Sequence, residues 1–345
     1  MNDGQTLPMG EVEVERLARV FLKTTQSYKF LFFRAILTRL KKNNSRTINF
    51  QELLAEMIVS AWWPVKVSHL VIGPSGVNDS LTDLLDALGD AMHERLSYQA
   101  VSDKAASYVK SERARGCLRY VPEALLSPWA GSQRPPLYTI KPEGIVLEEE
   151  WHHYLIENLP IVWGWADNEW TQWVQARNPN VPVNSEKLQP PLKRNSLSAE
   201  RHLFVLSTSG HFRCVYTGLP VDKNDFTLDH FLPHAFVGHD RIWNLAPVTR
   251  ALNSAKGLQV PAAHFIAPLV DIHFGLIGSV RARSVKAEEK FLEQYCVDLR
   301  IAPSELTDRD AVYEAYSGIL HPMIAIARRM GFPSGFGTDG RQYPN

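Results

Sequence analysis

The stretch CVYTGLPVDKNDFTLDHFLPHAFVGHDRIWNLAPVTRALNSAKG, residues 214–257, decides how this chain is read. On its N-terminal side HFRCVYT (211–217) and FTLDHFL (226–232) are rich in β-branched and aromatic residues. Gly218, Pro220, Asn224 and Asp225 lie between them and favour turns. That pattern predicts two strands paired through a long loop. After Trp243-Asn244-Leu245, the segment PVTRALNSAKG opens on Pro247 and closes on Gly257, the asymmetry of a short helix. Two strands then a helix, with Asp-His on the second strand and Asn on the helix, make a ββα unit.

These residue types suit phosphodiester hydrolysis. That reaction needs a base for water, a cation to offset phosphoryl charge, and a group to orient the base. Asp229 and His230 are neighbours on a strand, so their side chains leave on opposite faces, one towards a metal and one towards water. Asn253 supplies an amide oxygen from the helix. A set of carboxylate, amide and water oxygens suits Mg²⁺ or Mn²⁺ better than zinc. Asn244, in the loop, is placed to hold one ring nitrogen of His230 and fix its tautomer. Lys256 shares a helical face with Asn253 and is read as a phosphate contact.

Asp229-His230, Asn244 fourteen residues after His230, Asn253 nine further on and Lys256 after three resemble the HNH (ββα-metal) endonucleases in their H-N-N variant. Cys214-x-Tyr216-x-Gly218, the string DHFLP (229–233) and His239-Asp240-x-x-Trp243-Asn244-Leu245 are similar to stand-alone bacterial members of the DHFLP type. The N-terminal strings Ser27-Tyr28-Lys29-Phe30 and Ala61-Trp62-Trp63-Pro64-Val65 are shared with the same group. The resemblance implies His230 as general base, Asp229 and Asn253 as ligands of one divalent cation, and Asn244 positioning the base. It also implies 5′-phosphate and 3′-hydroxyl products, and defence against foreign DNA. The paired CxxC motifs that carry structural zinc in many relatives are missing, because Thr217 stands three residues after Cys214. His211, His234 and His239 surround Cys214 in sequence, and a mixed zinc site built from them is the lesser reading.

At 345 residues, with 45% hydrophobic and 21% charged residues, the chain has room for two globular domains. Net charge is zero, so nucleic-acid contact must come from local basic patches. Three scattered cysteines argue against a disulfide framework. The N-terminus shows no apolar leader and no segment is read as a membrane span, so the expected location is cytoplasmic with no membrane partner.

Helical periodicity is expected at 10–24, at 27–44 with Phe30, Phe33, Ile36, Leu37 and Leu40 on one face, at 79–96 and at 102–115. Asn49 and Glu52 form a capping box for a helix over 50–63 that Pro64 stops. Pro128 to Pro142 reads as a loop, followed by an aromatic helix from Pro160 to Ala176. Trp163, Trp170 and Trp173 on that helix are core residues in the plain reading and a base-stacking platform in the sharper one. PAAHFIAPLVDIHFGLIGSVRAR (261–283) reads as helical pieces broken near Pro268 and Gly275, with amphipathic helices at 286–300 and 308–330.

The expected fold is α+β: a mainly helical N-terminal region, then a ββα-metal nuclease unit with C-terminal helices packed on it. Its divisions are 1–178 for recognition or regulation, a linker over 179–196, and a nuclease domain over 197–345 with its ββα core at 203–260. Two basic clusters, Arg34/Arg39/Lys41/Lys42/Arg46 and Lys104/Lys110/Arg113/Arg115/Arg119, the second against Glu112 alone, lack balancing acids in sequence. Lys193, Arg194 and Arg201 precede the motif, and Arg241 and Arg250 flank it as substrate contacts. DNA is the expected partner, with a homodimer or a partner protein of a defence system as further expectations. The alternatives are a partner-activated nuclease effector acting on DNA or RNA, and a non-catalytic nucleic-acid-binding module.

Overall fold

The computed structural model describes residues 7–73, 80–89, 97–109, 116–181, 185–189, 196–207 and 211–337. The expected helix ends at 90–96 and 110–115, Lys110, Arg113, Arg115, Lys193 and Arg194 lie outside them. The chain divides into two compact units, Met1–Leu192 and Lys193–Asn345. Helices dominate and the sheets are small, so the fold is α+β.

The first unit is built on helix α1 (Tyr28–Asn43), which buries Phe30, Leu31, Phe32, Phe33, Ala35, Ile36, Leu37 and Leu40. The expected single apolar face is too narrow, because α1 is wrapped from several sides. Helix α2 (Phe50–Trp62) packs along it and carries the expected capping box, with Asn49 accepting from the Glu52 amide at 2.8 Å. Pro64 does not stop the backbone there. It falls at the start of a π-helical continuation, Trp63–Val67, in which the helical backbone runs on past the proline. The periodicity at 10–24 yields only a short helix, Val14–Leu17. A three-stranded antiparallel sheet completes the layer: β1 (Thr47–Asn49), β2 (Tyr138–Lys141) and β3 (Gly144–Leu147) in the order β1-β3-β2. The expected loop over 128–142 therefore ends in a strand. Gly144 is required at its crossing with β1, since a Cβ there would meet the Ile48 carbonyl oxygen at 2.2 Å.

Helix α3 (Leu159–Arg177) brings its tryptophans onto α1. Trp165 and Trp170 are buried, and Arg34 of α1 lies over the rings of Trp163 and Trp170 while pairing with Asp167. The plain core reading holds for Trp170. Residues 185–189, inside the stretch expected as linker, include a short helix Ser185–Leu188 with Leu188 buried.

The second unit holds two antiparallel pairs, β4 (His211–Arg213) with β5 (Pro220–Asp222), and β6 (Thr227–His230) with β7 (Leu245–Val248). The expected pairing of 211–217 with 226–232 is corrected: each strand takes a different partner. The turn formers at 218–220 close β4 onto β5 at once, and β6 finds its partner beyond a connection at 231–244. Pro247 accordingly sits in β7 opposite Leu228, and the helix that follows, α4 (Arg250–Lys256), starts at a Thr249 cap instead. Asp-His thus lies on the first strand of the ββα unit.

Helices α5 (Ile266–Arg283), α6 (Lys286–Leu299) and α7 (Arg309–Arg329) pack around that unit. α5 is continuous. Pro268 lies in its first turn, where the backbone donor has no intrahelical partner to lose. Contrary to the sequence expectation, Ala263–Arg283 is long and apolar enough to cross a membrane by length and composition. Here it buries Ile266, Leu269, Val270, Leu276, Ile277 and Val280 within the unit.

Candidate active site

Strand alternation sends Asp229 and His230 to opposite faces of β6, and each meets a different set of groups. Asp229 is buried. Its Oδ2 accepts from the Tyr216 hydroxyl at 2.7 Å, and the Lys256 ammonium lies 3.1 Å from Oδ2 and 3.2 Å from Oδ1. Lys256 also donates to the carbonyl oxygen of His230 at 2.6 Å. Burial lowers the Lys256 pKa while Asp229 opposes the shift. Burial, reinforced by the Asp229 charge, pushes the Tyr216 phenol well up and keeps it a donor. Tyr216 is wedged edge-on against Phe265 and Phe336.

On the other face, His230 Nε2 lies 2.7 Å from Asp240 Oδ1. An ionised carboxylate only accepts, so Nε2 carries the proton and the Nδ1 lone pair is left to act as a base. The His234 ring stands edge-on to His230, centroids 5.2 Å apart, with its Nε2 3.7 Å from the same Asp240 oxygen. Pro233 precedes the short helix His234–Val237, and Gly238, in the left-handed region at φ 71°, turns the chain so that Asp240 returns to His230.

The connection is pinned at both ends. The Asn244 carboxamide is fully buried and binds the Leu232 backbone twice, accepting from its N–H at 2.8 Å and donating to its carbonyl at 2.9 Å. His273 of α5 approaches the carbonyl of Leu245 at 3.0 Å, and Leu245 is the register partner of His230. Trp243 Nε1 donates to Asp298 of α6 at 2.8 Å, and Tyr316 of α7 donates to the Trp243 carbonyl at 3.2 Å. The C-terminal helices thus fix the loop that carries Asp240.

Residues 214–262 match the HNH endonuclease family. The match begins at Cys214 and covers β5, β6, β7 and α4. The matched family consists of nucleases that act on nucleic acids and use divalent metal ions, and the match suggests a nuclease segment here. Comparisons with curated proteins and with solved structures each found no match.

Within the HNH segment the expected residues fall into three groups. Lys256 reaches the Asp229 carboxylate and the backbone carbonyl of His230, the His230 ring lies on the other face, and Asn253 sits half-buried one turn before Lys256 on α4. Two expectations are corrected. Asn244 does not hold the His230 ring, because both ends of its amide are committed to the Leu232 backbone, and Asp240 is the group on Nε2. Lys256 is fully buried against Asp229 and does not face a phosphate. Of the flanking arginines, Arg241 pairs with Asp298 at 3.3 Å, whereas Arg250 is largely exposed with Asp225 at 3.7 Å.

Asp240 and Tyr216 escape sequence reasoning as site residues. Their one signal in the sequence is membership of short motif strings, which gives no hint that either side chain touches Asp229 or His230. Among the described residues His230, His234 and Asp240 form a set of possible metal ligands, with ligand atoms all within 4.8 Å of one another. Cys214, the centre of the zinc reading, is buried and outside that set.

The basic cluster of the first unit is also corrected. Its acids come from distant sequence: Asp167 pairs with Arg34, Glu52 with Arg39, Glu56 with Lys42 at 2.6 Å, and Glu149 with Arg46 at 3.1 Å.

Proposed function

We propose that this chain is a metal-dependent endonuclease of the H-N-N, DHFLP type that hydrolyses DNA phosphodiester bonds. The observation that carries the reading is the pairing of His230 with Asp240. It leaves Nδ1 of a half-buried imidazole as a proton acceptor, beside a strand whose other face holds a carboxylate. His230 takes the proton of the attacking water, and Asp240 holds the ring and stabilises the imidazolium that results.

A hard divalent cation, Mg²⁺ or Mn²⁺, fits oxygen donors from Asp229 and Asn253. Asp229 offers about four lone-pair positions, of which Tyr216 and Lys256 engage three. Bound there, such an ion supplies charge to offset the phosphoryl oxygens. Asn244 acts by holding the backbone just beyond His230, and Arg250 is the exposed cation best suited to a phosphate. Products with 5′-phosphate and 3′-hydroxyl ends follow from water attack in line with the 3′ oxygen.

A role in defence against foreign DNA, a cytoplasmic location, pairing of two copies and a partner protein belong to the same proposal. The neutralised cations of the first unit favour a recognition or regulatory role for it over general phosphate binding, and so favour gating by a partner as the second reading. Incubation of supercoiled plasmid with Mg²⁺, Mn²⁺ or EDTA tests the proposal. Wild type nicks or linearises the plasmid with either metal and not in EDTA, and His230→Ala is silent while still folded. Equal cleavage by both proteins would overturn it.

A further inference from the structure

We propose that His230, His234 and Asp240 form a second cation site, selective for a borderline ion such as Zn²⁺, and that filling it switches hydrolysis off. The inhibitory half rests on His230 being the base.

The donor set differs in kind from that around Asp229. Two imidazoles and one carboxylate suit Zn²⁺, Co²⁺ or Ni²⁺ and are poor ligands for Mg²⁺, which prefers oxygen. Three protein ligands plus one water complete a tetrahedral zinc shell. With metal–ligand distances of about 2.0–2.2 Å, neighbouring ligand atoms in such a shell lie roughly 3.3–3.6 Å apart. His234 Nε2 and Asp240 Oδ1 stand at 3.7 Å already. The 2.7 Å contact between His230 and Asp240 has only to open by under about 1 Å to reach the same spacing. Side-chain exposures of 11%, 18% and 29% leave the three groups within reach of solvent, as entry of an ion requires. The turn at Gly238 sets the arrangement before any ion arrives, because it returns Asp240 to both rings.

Inhibition follows from proton counting. A neutral imidazole has one lone pair and one N–H. In the metal-free arrangement the N–H is on Nε2 against Asp240 and the lone pair is on Nδ1. Coordination through Nε2 places the lone pair on the ion and the proton on Nδ1. No proton is gained or lost by the ring, yet nothing remains to accept one from water. The same ion takes Asp240 out of its orienting role. Mg²⁺ at Asp229 leaves this set untouched, so one ion supports the reaction and the other stops it.

The test uses the full metal-free chain and zinc chloride. Calorimetric titration gives one high-affinity Zn²⁺ site in wild type and at least a tenfold weaker one in His234→Ala and His234→Gln. In parallel, plasmid cleavage at fixed Mg²⁺ is titrated with Zn²⁺. Wild type is inhibited at the concentration that fills the site, and the His234 variants, each compared with its own zinc-free rate, need at least tenfold more zinc to be inhibited. Two His234 variants with unchanged melting temperatures exclude a folding defect as the cause. Zinc binding or zinc inhibition that is the same in wild type and both variants would overturn the site. Zinc binding that depends on His234 in a protein that cleaves plasmid with neither Mg²⁺ nor Mn²⁺ would leave the binding site standing and overturn the nuclease reading, and with it the inhibition.

Discussion

The ammonium of Lys256 lies 3.1 Å from the carboxylate of Asp229, with its side chain at 0% exposure and that of Asp229 at 4%. A positive charge therefore already stands on the carboxylate that a divalent ion would use. Lys256 comes from α4, the helix that also carries Asn253, so an ion held by Asp229 and Asn253 would share one wall of the site with the lysine. The lysine keeps a buried carboxylate neutralised when no ion is bound, and its bond to the His230 carbonyl ties that charge to the strand of the base.

Lys256→Met should destabilise the second unit by about 3–5 kcal/mol, because one charge of a buried pair is left without its partner. The loss is read from urea unfolding. Mn²⁺ should raise the melting temperature of the variant more than that of wild type, since the ion no longer competes with an ammonium. Asp229→Asn in the same background should recover part of the lost stability. If Mn²⁺ shifts both proteins equally, Asp229 is not where it binds.

Asp240→Asn should lower the cleavage rate by roughly 10²–10⁴-fold through loss of ring orientation and tautomer control. Asp240 is partly exposed, so the melting temperature should move little. Asn244→Ala should do the reverse in its first effect. It leaves the N–H and carbonyl of Leu232 buried without side-chain partners, at a cost of about 1–3 kcal/mol for each group. Comparing melting temperature with rate for the two variants separates holding the base from holding its backbone.

How much of this is legible in the sequence depends on the range of each interaction. Asp-His on a strand and Asn before a helix end are local patterns, and so is the Asn49–Glu52 capping box. The pairing of β6 with β7 is hidden because the connection at 231–244 holds short helical turns of its own, so a reading by proximity matches nearest-neighbour strands instead. Charge balance is hidden for a similar reason. Arg46 and Glu149 are far apart in sequence and meet only once β3 lies on β1. Lys256 misleads because helical spacing gives the face of a residue and says nothing about what covers it.

Stability should fall in acid through His273. Burial holds its pKa down to about 3, and the neutral ring is placed to donate to Leu245 through Nε2 and accept from Tyr295 through Nδ1. Tyr316 and Phe204 also pack on the ring. A base whose folded pKa is lowered binds fewer protons folded than unfolded between the two values. Its contribution is therefore complete above about pH 6.5 and is lost progressively as pH falls towards 3, by up to about 5 kcal/mol. His273→Gln should be less stable at neutral pH and show a flatter slope across that window. Parallel slopes for the two proteins in urea unfolding against pH would remove His273 as the source.

Salt dependence of DNA binding separates the exposed cations from the neutralised ones. Removing one cation from a phosphate makes the slope of log K against log salt shallower by about 0.9. Arg250 is 78% exposed, and its 3.7 Å partner Asp225 is 79% exposed, so that pair is weak and the guanidinium is available to a phosphate. Arg250→Ala should flatten the slope by about that amount and weaken binding of different duplex sequences to the same extent. Lys42 lies 2.6 Å from the buried carboxylate of Glu56, and Lys42→Ala should leave the slope unchanged while lowering stability. Binding measured from low to moderate salt without metal, so that no cleavage intervenes, distinguishes the two. A slope that flattens for Lys42→Ala and not for Arg250→Ala would move the DNA-contacting surface from the HNH segment to the first unit.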